Sequence, residues 1–537
     1  MAATPATSLT LVTTGLADAK LISSGNPDLN QFLHVVKKTT RWAAQWCRVE
    51  FDGAPEFGQK VALTVPTIAE LINGLTIVVQ MPDIYTPQLQ AIKAAGGTNL
   101  KNTGSFLGPL FGWTNSLGHA LIEQIELEIG GVIVETLDSR LLEILDELNE
   151  TVEAAAAKNF MIKRTPYGFT NTTYLTAVPT TVYVPIPFWF SKPGVLSHAL
   201  PIQALNIDNV RILVTFRSIN GLAYTDARAN SQTIGLQNTP SYTPPYAPML
   251  PITNSPFWQS TTSTGPNTGP VYTMNSSMGT NPTNGQIIPG VQMPARFSPI
   301  SAYALIEYIS LEENEAIALR TAELTYHVQQ HQAVQVEQTL GQTEIHLDIP
   351  YTNPTKDLMW VLQRPEATTY NAYFLFTRDL YPTPPPPQTQ PNPTQIPWWP
   401  DAIFQPVPVE AWQLQPAFRK SYSEPLAAAA LHYNSYERFV HEGGSFFRSI
   451  IPAQYFTKSA MMDRYIYAYA FGLKNKPREY EPKGAANWDK IQRKELYITL
   501  NSARGGGAPP NMNIYVYITI WNVFKVYGGR GGLLFSN

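Results

Sequence analysis

The chain has 537 residues with a formal net charge of −3, only 14% charged residues and 46 prolines. That length serves more than one domain and a large core. The near-neutral balance argues against wrapping of nucleic acid, which needs a strongly basic face. Sparse charge with abundant Pro and aromatic residues predicts β-structure with long loops and much surface covered by other protein. The single cysteine, Cys47, excludes an intramolecular disulfide framework and fits a reducing compartment. No stretch of about 18 apolar residues predicts a membrane-spanning helix, and MAATPATSLTLVTTG lacks the pattern of a secretory signal.

Residues 1–27 are small and polar and predict a flexible arm. From Phe32 to Phe216 strand-like runs dominate: KVALTVP, LTIVVQMP, LIEQIELEIGGVIVE, TTVYVPIPFWF and NVRILVTFR. In LIEQIELEIGGVIVE, Ile125, Leu127 and Ile129 alternate with Glu126 and Glu128, and Gly130-Gly131 marks a hairpin turn. Leu141, Leu145, Leu148 and Val152 recur at helical spacing and predict one helix after that hairpin. Ala229 to Ala295 carries no charge, yet holds Tyr242, Tyr246, Phe257, Trp258 and Tyr272, which predicts an excursion packed on a neighbour. Strand SAYALIEYI follows, then Ser310 to Glu313 as a capping box opening a short helix through Leu319. Strands resume at LTYHVQQHQAVQVEQ, interrupted by the extended, proline-rich stretch Tyr381 to Pro400.

The segments starting at Gly58 and Gly341 align without gaps, sharing Gly58/Gly341, Gln59/Gln342, Leu75/Leu358, Val78/Val361, Gln80/Gln363 and Pro82/Pro365. Both have the pattern of two consecutive strands, which predicts two similar β-domains in one chain.

Candidate chemistry is thin. Glu123, Glu126, Glu128 and Glu135 form a column of carboxylates on the wet side of a strand, suited to solvation or a subunit contact; no partner motif marks a catalytic pair. GAPEFGQK (Gly53 to Lys60) misses the phosphate-cradling loop: Gln59 and Val61 stand where a lysine and a hydroxyl are needed, and a strand follows. His327 and His331 sit four apart in a strand, with Val328 where a zinc protease has a glutamate. Cys47, in RWAAQWCRVEF, has the setting of a buried, inert thiol. YGGRGGLLF is better explained as a turn than as an RNA-binding unit, and LKNKPREYEPK (Leu473 to Lys483) as a solvated loop. The sequons at Asn149, Asn171 and Asn275 lack a signal to go with them. No catalytic, cofactor-binding or metal residue is nominated.

Several blocks together resemble the major capsid proteins of nucleocytoplasmic large DNA viruses, the chlorella virus, iridovirus and African swine fever virus group. They are GNPDLNQFLHVVKKTTRWA (from Gly25), FGQKV (from Phe57), LGHALIEQIELEIGGVIVE (from Leu117) and VYVPIPFWFSKPGVLSHALPIQAL (from Val182), in family order. YISLEENEAIAL (from Tyr308), NPTKDLMWVLQ (from Asn353), AYAFGLKNKPREYEPKG (from Ala468) and the C-terminal NIYVYITIWNVFKVYGGRGGLLFSN complete the set. The chain departs from the family where Pro482-Lys483-Gly484 and Asn487-Trp488-Asp489 replace a Pro-Ser-Gly and an Asn-x-Ser, with an extra residue before Pro477.

The resemblance implies an all-β tandem double jelly roll: two eight-stranded antiparallel β-sandwiches with short helices and long loop insertions. Mapped onto this chain it gives an N-terminal arm over 1–27, a first jelly roll over 28–313 with an insertion at 220–298, and a second over 314–537 with a Pro-rich insertion at 381–443. It implies a structural protein of the virion, assembled in the host cytoplasm into homotrimeric, pseudo-hexagonal capsomers that tile an icosahedral shell. Implied partners are the chain itself, neighbouring capsomers, and minor capsid and penton proteins. The insertions would form the outer crown, and the inner face would lie near an internal viral membrane. The competing reading of the residues is a β-sandwich carbohydrate-binding module or glycan hydrolase, because jelly rolls also host lectins and enzymes.

Overall fold

The computed structural model describes residues 41–82, 111–164, 180–191, 196–225, 298–369, 373–378, 424–434, 436–460, 464–473, 484–503 and 507–535, with short strands at 29–30, 33–34, 170–175, 278–280 and 287–289. Residues Met1–Ala43 form one compact unit and Ala44–Asn537 the other. In the first, Leu29–Asn30 pairs antiparallel with Leu33–His34.

The strands follow in chain order. They begin with β1 (Trp42–Glu50), β2 (Lys60–Thr64), β3 (Leu71–Gln80) and β4 (Phe111–Thr114). Helix α1 (Leu117–Leu121) leads into the hairpin β5 (Ile122–Ile129) and β6 (Val132–Asp138), then α2 (Ser139–Asn149) and α3 (Val152–Ile162). β7 (Thr170–Leu175), β8 (Thr181–Pro185), β9 (Val210–Phe216), β10 (Ala223–Thr225), β11 (Ser301–Leu311) and α4 (Glu313–Thr321) complete the first half. The second half has β12 (Leu324–Ala333), β13 (Glu337–Gln338), β14 (Glu344–Asp348) and β15 (Pro354–Gln363). The hairpin β16 (Leu426–Tyr433) and β17 (Tyr436–Gly443) runs through a π turn at Phe446–Ile450 into α5 (Ile451–Tyr455). β18 (Ile466–Ala470), β19 (Ala486–Asn487), β20 (Lys494–Leu500), β21 (Asn513–Tyr527) and β22 (Arg530–Leu533) close the chain.

The strands assemble into two sandwiches. The first stacks the sheet β8-β3-β11-β1 with β2-β9-β5-β6, and a small sheet β10-β4-β7 stands apart. The second stacks β12-β21-β15-β18, extended by β13, β19 and β22, with β14-β20-β16-β17. Alternation drives this: β9, and β11 as far as Tyr308, bury every second residue, as a strand with one face on a core must. The buried residues of both sandwiches join one continuous apolar core, including Leu63, Ile77, Ile125 and Ile306 of the first and Leu347, Trp360, Leu431 and Ile518 of the second.

The two sandwiches correspond strand for strand. β2, β9, β5 and β6 occupy the places of β14, β20, β16 and β17, while β8, β3, β11 and β1 occupy those of β18, β15, β21 and β12. The aligned segments starting at Gly58 and Gly341 hold this register. Val78 pairs with Tyr303 and its counterpart Val361 with Tyr515; Gln80 pairs with Ser301 and Gln363 with Asn513. Both strand pairs carry a bulge at the same place, skipping Asn73 in β3 and Lys356 in β15. The shared glycines Gly58 and Gly341 both adopt positive φ, 81° and 77°.

Four expectations change. The single helix is two, because Glu150 is extended; Asp138 caps α2 by accepting from Leu141 N at 2.7 Å, and Thr151 caps α3 by accepting from Ala154 N at 3.2 Å. Ser310 does not cap a helix: β11 continues to Leu311, whose N–H donates to the Glu70 carboxylate at 3.0 Å, and α4 starts after Glu312 and runs to Thr321. The insertion assigned to 381–443 ends earlier, since 426–443 form the β16–β17 hairpin within a sandwich sheet. Its rows of Ala and exposed charge hid the strands. The carboxylate column is not uniformly wet, as its geometry shows.

Candidate functional site

The β5–β6 hairpin turns at Gly130 and Gly131, with φ of 59° and 83°, as a two-residue primed turn demands. Three of the four carboxylates of the column meet a cation. Glu126 is buried and paired with Lys60 at 2.5 Å; Glu128 meets Arg211 at 3.3 Å; Glu123 meets Arg217 at 3.7 Å. Arg211 comes from the adjacent strand β9, directly opposite Glu128, and Lys60 reaches across β9 from β2 of the same sheet. Glu135 points elsewhere. It is buried and its Oε1 lies 3.0 Å from Nδ1 of His331 on β12, in the other sandwich.

That contact opens a joint between the sandwiches. Gln330 Nε2 donates to the Val134 carbonyl at 2.8 Å, and the Tyr517 hydroxyl donates to Asp138 Oδ2 at 2.7 Å. Asp138 therefore caps α2 with one oxygen and holds β21 with the other. Arg140 donates to Gln363 Oε1 at 3.0 Å and stacks over the Tyr515 ring, centroid 4.1 Å away. At the far end the β21–β22 turn clasps the first sandwich: Ile207 N donates to the Gly529 carbonyl at 3.0 Å, and Gly531 N donates to Asp208 Oδ2 at 3.0 Å.

Behind α2 lies a buried ionic cluster that joins both halves. Glu143 is fully buried; it accepts from Ser116 Oγ at 2.9 Å, lies 2.6 Å from His119 Nδ1 and 2.5 Å from Arg164, and pairs with Arg464 from the second sandwich. Asp146 pairs with Arg164 and, at 3.1 Å, with Lys158. Glu147 lies 3.3 Å from Arg164 and 3.9 Å from Lys458. Burial opposes ionisation of Glu143, but Arg164 and then Arg464 outweigh it and hold the carboxyl well below the usual range. Burial likewise opposes Asp146, and Arg164 with Lys158 brings it down to about 2. Glu143, Asp146 and Glu147 follow an i, i+3, i+4 spacing opposite Leu141, Leu145 and Leu148. The acidic stripe was legible; its burial was not, because the cations arrive from distant residues.

The remaining motif residues are placed as follows. Gly53 to Lys60 is a connection between strands, ending in the Lys60–Glu126 pair. His327 is exposed on β12 while His331 serves the joint. Among the described residues no group of His, Cys, Asp and Glu is arranged to hold a metal ion. Cys47 is half-buried on β1. The glycines of YGGRGGLLF make the tight turn after β21, with Gly528 and Gly529 at φ of 58° and 82°. Residues 474–483 of the basic loop, most of 220–298 and residues 381–423 lie outside the described residues, as do Asn275 and residues 1–27. Asn149 ends α2 and Asn171 lies on β7.

VP54 of PBCV-1 superimposes on this chain with a TM-score of 0.61 at 18% identity, covering 95% of this chain and 100% of that one. The Faustovirus major capsid protein matches with a TM-score of 0.56 at 10% identity, over 97% and 96%. With the paired sandwiches and their buried joint, these likenesses define a double jelly-roll fold of the viral capsid type. A model of the major capsid protein N-terminus matches residues 30–249, and the large eukaryotic DNA virus major capsid protein model matches residues 313–532. The chain is 21% identical to the major capsid protein of Chrysochromulina ericina virus, over 98% of this chain and 99% of that relative. It is 22% identical to probable capsid protein 4 of Acanthamoeba polyphaga mimivirus, over 98% of each. The chain belongs to the major capsid proteins of large eukaryotic DNA viruses, and is a capsid component of the virion.

Proposed function

We propose that this protein forms homotrimers of pseudo-hexagonal outline which tile an icosahedral shell, and that it carries out no reaction. The observation that carries this reading is the strand-for-strand duplication: three copies of a chain with two like sandwiches present six like units around one axis. Large apolar side chains left exposed on the described surface, among them Trp46 at 52%, Phe160 at 64% and Val132 at 66%, support burial against further copies. The partners are the chain itself, neighbouring capsomers, and minor capsid and penton proteins, with assembly in the host cytoplasm. The domains run 28–313 and 314–537, after an arm over 1–27, and the stretches 220–298 and 381–423 supply the outer crown. The pairing of Glu123, Glu126 and Glu128 with cations, and of Glu135 with the His331 imidazole, speaks against a hydrolase using them as an acid and base.

The test is the solution mass of the purified chain by light scattering, with negative-stain images of the same peak. A species of three times 59.6 kDa with a hexagonal outline is the expected result. A stable, folded monomer would overturn the reading.

A further inference from the structure

Helix α3 has little packing of its own. Of its 11 residues only Ile162 is buried, while Val152 and Phe160 stand 71% and 64% exposed. A lone helix of that length is marginal in water, so its ends must keep it in place. Its C-terminal end is strained: Lys163, buried, caps it at φ 58° and ψ 49°, and Arg164 follows directly into the ionic cluster. At the start of the same helical segment Ser116, fully buried, precedes α1 at φ 51° and ψ 47°. Its Oγ donates to Glu143 at 2.9 Å and accepts from Arg164 Nε at 3.2 Å. Both strained residues thus abut the cluster, whereas the other two non-glycine residues of positive φ among the described residues, Leu340 and Asn434, lie in turns between strands. Strain of this kind persists only where the surroundings over-determine it.

The second sandwich supplies half of those surroundings. The buried carboxylates Glu143, Asp146 and Glu147 meet two cations of the first sandwich, Arg164 and Lys158, and Lys158 is shared with Glu150. The other two cations, Arg464 and Lys458, arrive from the second sandwich, Arg464 to both Glu143 and Glu147 and Lys458 to Glu147. Without them the buried carboxylates outnumber their cations, a state that a protein interior penalises heavily. The same stretch finishes α2. Thr457 N and Lys458 N donate at 3.1 and 3.2 Å to the Leu148 carbonyl, one of the acceptors that a helix end leaves unpaired.

We infer that α1 to α3 form a conditional cap on the first sandwich, set in its strained, ordered state only when the folded second sandwich delivers Arg464 and Lys458 to the acidic face of α2. A chain whose second half is unfolded therefore does not present α3. The cap is a two-state element biased from a site some 300 residues further along the chain, which gives the coupling between the halves a physical carrier. It operates within one chain, whatever the oligomeric state.

The experiment is hydrogen exchange read by mass spectrometry on the full chain. In Arg464→Met, exchange across residues 152–162 rises at least about tenfold beyond any change in β9 and β21, which serve as core references. Lys458→Met, a milder change at a more exposed group, raises exchange in the same segment by a smaller factor and serves if Arg464→Met fails to fold. Adding Lys163→Gly to either variant returns most of the lost protection, because glycine adopts φ of 58° without strain. Unchanged exchange over 152–162 in the folded variants overturns the inference. So does an equal rise in β9 and β21, which marks a general loss of stability, and so does a failure of Lys163→Gly to restore protection.

Discussion

Gly529 has no room for a side chain. A Cβ there would collide with the Asn206 side chain and lie 2.9 Å from Ile207 Cγ1, and its φ of 82° strains any L residue. Gly529→Ala is therefore expected to cost about 1–3 kcal/mol, since both the turn and the clasp on the first sandwich must shift; Gly532→Ala, with open space around it, serves as the control in thermal melts. The ionic cluster makes a second residue-scale prediction. Glu143→Gln removes the buried carboxylate between Arg164 and Arg464, leaving both guanidiniums short of negative charge, and is expected to cost about 3–5 kcal/mol. Asp146 gives a pH signature. Its carboxyl sits at about 2 in the native state, against roughly 3.9 unfolded. Its stabilisation is thus complete above the unfolded value and is lost as pH falls toward 2. Melting temperature should fall on acidification below that unfolded value, and Asp146→Asn, less stable at neutral pH, should show a shallower fall over the same range.

At the scale of elements, the break between α2 and α3 shows how a local signal was outranked. Apolar spacing runs through Leu148 and Val152, but Thr151 offers a capping hydroxyl and Glu150 is extended, so the chain restarts rather than continues. Thr151→Ala should cost about 1 kcal/mol. Asp138→Ala should cost more, because it removes the α2 cap and the Tyr517 contact together. A double-mutant cycle with Tyr517→Phe in chemical denaturation separates the two, and a coupling near zero would show that the hydroxyl contributes nothing. Strands with clear alternation, β9 throughout and β11 as far as Tyr308, were plain in the sequence because one face meets a core. β16 and β17 were not, since Ala-rich LAAAALHY has little alternation to show and the preceding prolines pull the whole stretch toward loop.

For the whole molecule, the shared core and the cluster spanning Glu143 and Arg464 bind the sandwiches into one cooperative body. Scanning calorimetry should show a single unfolding transition for both sandwiches. Arg464→Ala removes the second sandwich's guanidinium from Glu143, and is expected to broaden or split that transition; two separate peaks in the wild type would contradict a common core. The duplication was partly legible from the segments at Gly58 and Gly341, whose identities fall on the turn and on strand positions that packing holds in register.

The sequence by itself determined the β-class, the hairpin at Gly130-Gly131, the duplicated strand pair and the family, because alternation, turn residues and blocks of kinship are local and survive along the chain. Tertiary structure alone decided which carboxylates are wet and which are buried. Glu126, Glu135 and Glu143 all look solvent-facing by pattern; their cationic or imidazole partners lie as far off as His331 and Arg464. A charge can be buried only where such a partner arrives, and that meeting is fixed by how two sandwiches fold onto each other, which no local pattern records.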